Sequence, residues 1–227
     1  MNIVVINHHI ILNAFNLNDL GLFRGKMGIV LYFYIYSRYN HEGIYADFAS
    51  KLLSDLFCDI NTQIPFFFDD GLCGIGWGIE YLVQNSYVGG DTNEILSDLD
   101  QFIMQIDPIR IANNTDENLF GLVYYIVTRL TSISRNKTTP FESGYLESLY
   151  DIIISRNKKT SLKTHSIFKD FIKYYQQPFI RKTVFDFSLL EYAPEIANIN
   201  ESNILTYPLG IMNGLTGACL KNIYKNE

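Results

Sequence analysis

Little in this 227-residue sequence points to a membrane, a nucleic acid or an oxidising compartment. Its three cysteines are an odd number at scattered positions, which excludes a disulfide framework and suits a reducing compartment. The net charge is −6 with no dense run of Lys and Arg, which argues against a nucleic-acid surface. No segment reaches the roughly 18 consecutive apolar residues of a membrane span, so the sequence predicts none.

The N-terminal segment is apolar, but it lacks the basic leading region and small-residue cleavage site of a signal peptide. We therefore expect a cytoplasmic protein. Hydrophobic residues make up 48% of the sequence, with 16 Tyr and 16 Phe, a composition typical of an ordered globular protein. This length predicts a single domain over residues 1–227.

Glycine recurs at regular intervals along the chain. Four stretches contain Gly-x-x-Gly, or Asn-x-x-Gly at Asn118, and continue into an apolar segment: "GLFRGKMGIVLYFY", "GLCGIGWGIEYL", "NLFGLVYYIVTRL" and "YPLGIMNGLTGACL". The second glycines, Gly28, Gly74, Gly121 and Gly217, are 46, 47 and 96 residues apart. Because the last gap is about twice the others, either a degenerate unit or an insertion lies between residues 131 and 205.

A repeat of this length holds two helices and their loops. We predict an apolar inner helix that begins at each glycine pair and an amphipathic outer helix after it, over residues 42–57, 91–106 and 141–155. Asp91 and Glu94 fit a capping box at the start of the second outer helix. The predicted fold class is all-α, an array of four to five helical hairpins.

The repeated glycines need a physical reason, because an internal helical glycine costs about 1 kcal/mol relative to Ala. Spaced three apart, they lie on one helix face, where a neighbouring helix or loop can approach the backbone. A phosphate-binding loop is the alternative, but no Lys-Ser/Thr follows and no predicted strand precedes. The structural glycines are Gly25, Gly28, Gly71, Gly74, Gly121, Gly214 and Gly217.

With these four stretches the sequence resembles the lanthionine synthetase C-like (LanC-like) family. The resemblance implies an α/α toroid, in which paired helices form an inner and an outer ring, here in a shortened form as an incomplete or small ring. The activity it implies is thioether-ring formation in ribosomally made peptides. In that reaction a zinc ion activates a substrate Cys thiolate, which adds to a dehydrated Ser or Thr.

The zinc ligands of the family are a Cys five residues before the second glycine of a repeat and a His four residues before it, with a further Cys from another repeat. In this sequence the five-back positions are Phe23, Asp69, Asp116 and Met212, and the four-back positions are Arg24, Asp70, Glu117 and Asn213. None is Cys or His, so we predict no zinc and no cofactor. Cys73 and Cys219 lie out of register and are interpreted as small buried hydrophobes. The histidines, His8, His9, His41 and His165, are interpreted as solvated or satisfied.

Polar residues occupy the positions of the missing ligands. We name them the candidate rim: Asp69, Asp70, Asp116, Glu117, Arg24 and Asn213. Helix capping is the simplest role for its acids, since carboxylates are favoured at helix N-termini. They could instead bind a hard cation or provide an acid and a base to a substrate.

Three hypotheses for the function follow. The first is a LanC-like protein associated with maturation of ribosomally made peptides, without zinc cyclase activity, that binds a peptide or a partner protein at the candidate rim. The second is a carboxylate-based α/α-toroid enzyme acting on a sugar or other small molecule. The third is a non-catalytic interaction module. We expect a monomer rather than a homodimer, because the apolar N-terminal segment is long enough to pack against the last helix.

Overall fold

The computed structural model describes residues 2–61, 63–114, 116–132, 139–159, 166–185, 190 and 193–226. Within these ranges the secondary structure is helical, with eleven α-helices, short 3-10 turns and no strand. The prediction of an all-α protein is therefore confirmed. None of the helices in the described part of the chain combines the length and the apolar character needed to cross a membrane.

The chain divides into two compact units. The first contains Met1–Pro65, Asp69–Gly78 and Phe185–Glu227, and the second contains Phe66–Phe68 and Ile79–Val184. This division into compact units does not test the prediction of a single domain, which stays a prediction.

The first unit is built on an apolar helix that is buried on every side. Its helices are α1 (Ile3–Ala14), α2 (Lys26–Asn40), α3 (Gly43–Asp59), the start of α4 (Leu72–Gln84) and α11 (Leu215–Asn226). Residues Lys26 to Ser37 of α2 are all buried, as expected of a helix that is hydrophobic around its whole circumference. This helix packs against α3 and α11, and α1 also contacts α11. Aromatic side chains pack between α2 and α3, where the rings of Phe33 and Phe48 are in edge-to-face contact with their centroids 4.8 Å apart.

The second unit repeats the scheme around another apolar helix. Besides the end of α4, its helices are α5 (Thr92–Ile95), α6 (Ser97–Met104), α7 (Pro108–Asn114), α8 (Asp116–Thr131), α9 (Ser143–Lys159) and α10 (Ser166–Gln176). Helix α8 contacts both α7 and α10. Its residues Leu122, Val123, Tyr125 and Ile126 are fully buried.

Most of the predicted helices are present. The four inner helices are α2, α4, α8 and α11, and the outer helices predicted over 42–57 and 141–155 are α3 and α9. The single outer helix predicted over 91–106 is wrong in its middle, because the chain breaks at Leu96 into α5 and α6. Leu96 is buried with φ −102° and ψ 6°, so its packing overrides helical continuity. Asp91 caps α5 by accepting from the Asn93 N–H at 2.9 Å.

Three helices, α1, α7 and α10, lie where no helix was predicted. Helix α10 lies in the region 131–205 and had a readable signal, since Ile167, Phe168, Phe171 and Tyr174 are buried at helical spacing. Helix α1 is apolar on both faces, so its sequence has no clear period. Its fully buried residues are Ile6, Asn7, Ile10 and Ala14.

Candidate functional site

Three loops of the first unit share one hydrogen-bond pattern. They precede α2, α4 and α11, and in each the first residue of the helix donates its backbone N–H to a carbonyl seven residues earlier. The three bonds are Lys26 to Asp19 at 2.9 Å, Leu72 to Pro65 at 2.8 Å and Leu215 to Pro208 at 2.9 Å. Each loop therefore folds back over the start of its own helix in the same way, as repeats in a common register do.

The loops are also bonded to one another. The Phe23 N–H donates to the Asp69 carbonyl at 2.8 Å, and the Phe23 carbonyl accepts from the Met212 N–H at 2.9 Å. Phe23, Asp69 and Met212 each stand five residues before the second glycine of their repeat. We call the region of the first unit where residues 19–25, 69–71 and 208–214 meet the loop junction.

Glycines allow this close approach of backbones. A Cβ added to Gly21 would lie 2.2 Å from the Asp70 Cα, and one added to Gly210 would lie 2.6 Å from the Arg24 Cα. At Gly28 and Gly217, two of the glycines predicted to be structural, the nearest atoms belong to the loop of the same repeat. A Cβ at Gly28 would lie 2.2 Å from the Leu22 carbonyl oxygen, and one at Gly217 2.0 Å from the Ile211 oxygen.

The first glycines of the pairs lie at the start of their helices. Gly25 is the N-cap of α2 and Gly214 immediately precedes α11. Added Cβ atoms there would lie 2.3 Å from the Gly21 nitrogen and 2.2 Å from the Gly210 oxygen, respectively. In the second unit, a Cβ on Gly121 would lie 2.7 Å from the Phe68 Cβ. Gly71 and Gly74 are buried, Gly71 just before α4 and Gly74 in its first turn.

Four residues of the candidate rim lie at the loop junction. Arg24, Asp69 and Asn213 are exposed there, and Asp70 is half-buried. The Arg24 guanidinium lies 3.9 Å from the Met212 sulfur. Asn213 has a left-handed backbone with φ 54°, a conformation that asparagine tolerates better than most residues. Asp116 and Glu117 begin α8 in the second unit, and their side chains lie outside the described residues.

The loop junction does not have the donor atoms of a zinc site. Its five-back positions bring together an aromatic ring, a carboxylate and a thioether, whereas zinc sites use mainly thiolate and imidazole ligands. Across the described residues, no group of three or more His, Cys, Asp or Glu side chains is placed to hold a metal ion. The residues present do not fit the zinc that the resemblance implies.

The cysteines and histidines lie elsewhere. Cys73 and Cys219 are fully buried, and Cys58 is exposed on α3. Burial raises the pKa of the Cys73 thiol far above its ordinary value and that of Cys219 to about 12, although a hydrogen bond with Tyr32 opposes the latter shift. Both therefore stay protonated, unlike a metal-bound thiolate. His8 and His9 lie in α1, His41 caps the C-terminus of α2, and His165 lies outside the described residues.

A cleft of about 740 Å³ in the first unit is lined by Asp19, Lys26, Asp59 and Asp70. Asp19 accepts from the Gly21 N–H at 2.8 Å. Burial raises the pKa of Asp19, and the nearby Asp70 carboxylate adds to that shift. Two neighbouring carboxyl groups that line one cleft are the arrangement that the carboxylate-based enzyme hypothesis requires.

A second polar centre, which the sequence analysis missed, is a cluster of ionised side chains in the second unit. Arg129 is fully buried and donates to Glu80 Oε2 and to Asp100 Oδ2, each at 2.7 Å. We call Glu80, Asp100 and Arg129 the buried ion cluster. Its signal was readable, since Glu80 and Arg129 each interrupt an otherwise apolar helical stretch, "GIEYLV" and "IVTRL".

Neutral groups complete the hydrogen bonding of the buried ion cluster. Tyr125 donates to Asp100 Oδ1 at 2.6 Å, Gln84 donates to Glu80 Oε1 at 2.9 Å, and Ser132 donates to the same oxygen. Burial raises the pKa of Asp100, and the Arg129 guanidinium opposes that shift. Buried charges are tolerated when they are paired and hydrogen-bonded in this way.

The fold and the loop junction together define a helical-repeat protein in which glycine-containing loops cap the inner helices. The family model of the lanthionine synthetase C-like proteins matches residues 16–179 of the chain. The chain belongs to this family, whose fold is the α/α toroid. Searches of curated proteins and of solved structures gave no significant match.

Proposed function

We propose that this LanC-like protein takes part in the maturation of a ribosomally made peptide by binding the peptide at the loop junction, without zinc-dependent ring closure. The observation that supports this proposal is the donor set of the loop junction. Backbone hydrogen bonds bring together three equivalent five-back positions, and these carry Phe23, Asp69 and Met212 in place of a thiolate.

The loop junction offers chemistry suited to binding rather than to activating a thiol. Arg24, Asp69 and Asn213 present a guanidinium, a carboxylate and a carboxamide on exposed side chains that adjoin hydrogen-bonded backbones. Such groups can pair with the amides and charged side chains of a peptide or of a partner protein. The bonded loops hold these side chains on a preformed surface, which lowers the entropy cost of binding.

The test separates binding from ring closure. A fluorescent synthetic peptide with one Cys and one dehydroalanine is incubated with the protein and added Zn²⁺, then treated with N-ethylmaleimide. Ring closure changes no mass but removes the thiol, so mass spectrometry after alkylation detects it. We expect the peptide to remain fully alkylated, as it does without protein.

Binding is measured by fluorescence anisotropy with the candidate precursor peptides encoded beside the gene. We expect Arg24→Ala to weaken binding by about tenfold, the effect of losing about 1.4 kcal/mol. Lys51→Ala, a change at an exposed lysine of α3, is the matched control and should have no effect. Zinc-dependent loss of alkylation would contradict the absence of cyclase activity. Failure of every peptide to bind would contradict the peptide role and favour a non-catalytic interaction module.

A further inference from the structure

The buried ion cluster holds more acidic groups than basic ones. Two carboxylates face one guanidinium, and the side chains of Glu80, Asp100 and Arg129 are 0%, 3% and 0% exposed. The hydroxyl and carboxamide donors around them satisfy hydrogen bonds but bring no positive charge. An excess buried negative charge is costly, so a cation nearby would stabilise the cluster.

The cluster forms part of the wall of a cleft. Asp100 lines a cavity of about 810 Å³ beside α6 and the start of α9. Carboxamides from Asn93, Gln101 and Gln105, the hydroxyl of Ser148 and the carboxylate of Glu142 also line it, and we call it the amide cleft. No Lys or Arg is among its lining residues, all of which belong to the described part of the second unit.

Each feature of the amide cleft favours a cation with several N–H donors. Its polar lining is rich in oxygen acceptors, and its negative charges lie on Asp100 within the wall and on the exposed Glu142. Asp100 cannot swing away, because Arg129 Nε bonds both of its oxygens, at 3.2 and 3.1 Å, and Tyr125 bonds one of them. The volume lies in the range of pockets that hold small ligands, and it is large enough for a single arginine side chain.

We infer that the amide cleft is a binding site for the guanidinium or ammonium side chain of a basic peptide segment. Arginine fits best, since its planar fork of five donors matches neighbouring carboxylate and carboxamide oxygens. A bare metal ion fits less well, because no group of three metal-ligating side chains is found among the described residues. The site uses nothing from the loop junction, so it stands independently of the function proposed there.

The test compares two capped tripeptides that differ in charge alone, acetyl-Gly-Arg-Gly-amide and its citrulline analogue. Citrulline keeps the shape of arginine but is neutral. Isothermal titration against the full chain should give a dissociation constant about tenfold lower for the arginine peptide, and added salt should reduce the difference. Equal binding of the two peptides, or binding of neither, would overturn the inference.

Variants locate the site. Glu142→Gln removes a cleft charge at an exposed position and should weaken the arginine peptide about threefold while leaving the citrulline peptide unchanged. Glu147 is exposed on α9, five residues further along and outside the cleft, so Glu147→Gln should leave the binding of both peptides unchanged. Asp100→Asn should weaken binding further, with circular dichroism used to check folding. If Glu142→Gln and Glu147→Gln behave alike, the peptide binds elsewhere and the inference is wrong.

Discussion

Gly28 shows at the scale of one residue why the loop before an inner helix requires glycine. The Leu22 carbonyl oxygen lies where a Cβ would stand, at 2.2 Å, and it belongs to backbone that the loop junction holds in place. Gly43, at the start of α3, is a contrast, since a Cβ there would meet nothing within 4 Å. The same residue type therefore has opposite roles at two helix starts in one hairpin.

The first prediction compares alanine at these two positions. Gly28→Ala should destabilise the protein by about 2–4 kcal/mol, because either the loop or the helix must move. Gly43→Ala should be neutral or stabilise by up to about 1 kcal/mol, since alanine favours helix without any clash. Urea denaturation followed by circular dichroism measures both. A Gly28→Ala protein as stable as the parent would mean that the loop does not lie against α2 as described.

At the scale of an element, one buried lysine links the two helices of the first hairpin. Lys26 begins α2 and is 3% exposed, and its Nζ lies 2.6 Å from Asp55 and 3.0 Å from Asp59 on the last turns of α3. A cation at a helix N-terminus and anions at a helix C-terminus are each disfavoured by the helix dipole. Pairing them across an antiparallel hairpin offsets both costs.

The second prediction concerns Lys26 and its two partners, because the lysine is buried whereas Asp55 and Asp59 are partly exposed. In the Asp55→Asn, Asp59→Asn double variant the Lys26 ammonium stays buried without a counter-charge, so we expect a loss of about 2–4 kcal/mol. Lys26→Met leaves only partly exposed carboxylates unpaired and should cost about 1 kcal/mol. Thermal and urea unfolding of both variants provide the comparison. Equal losses would show that the pairing, rather than burial of the lysine, is what matters.

The ion pairs of Lys26 also predict how the stability of the protein changes with pH. Burial is the largest single influence on the pKa of Lys26 and lowers it. The hydrogen bonds and charges of Asp55 and Asp59 together outweigh burial, so the pKa is raised. A raised lysine pKa contributes stability that is fully present below the unfolded-state pKa and is lost as the pH rises through the folded-state pKa. The parent should therefore lose stability at alkaline pH relative to Lys26→Met.

At the scale of the whole molecule, the expectation of a monomer depends on how the chain covers α11. Helix α1 contacts α11, and Ile6, Ile10 and Ala14 of α1 are fully buried. The N-terminal helix thus covers apolar surface that would otherwise face solvent. An exposed apolar surface of that kind promotes association.

The third prediction follows from this cover. Light scattering of the intact chain should report a mass near 26.2 kDa, the mass of one chain. Deletion of residues 2–14 should cause dimerisation or precipitation, because it uncovers α11. Leu12→Ser, a change at a residue 77% exposed on α1, is the control and should leave the mass unchanged. A stable dimer of the intact chain that the deletion does not alter would contradict a monomer covered by α1.

Local sequence determined where the inner helices begin. Glycine pairs in register predicted the starts of α2, α4 and α11, because each pair reflects a loop folded over its own helix, an interaction between residues close in the chain. The motif at Asn118 and Gly121 predicted the presence of α8, which begins two residues earlier at Asp116. Amphipathic spacing likewise predicted α3 and α9. The common register also implied that Arg24, Asp70 and Asn213 stand at equivalent places in their repeats, and all three lie at the loop junction. Their binding role stays a prediction.

Only the tertiary structure decided which residues distant in sequence pair with one another. Arg129 meets Asp100 and Glu80 across 29 and 49 residues of sequence, and the Phe23 carbonyl bonds the Met212 N–H from the other end of the chain. A pattern of residue types shows that a buried charge needs a partner, but it does not show which one, because many acids satisfy the same rule. Only the packing of whole helices brings one guanidinium to two particular carboxylates, and the same packing broke the predicted outer helix at Leu96.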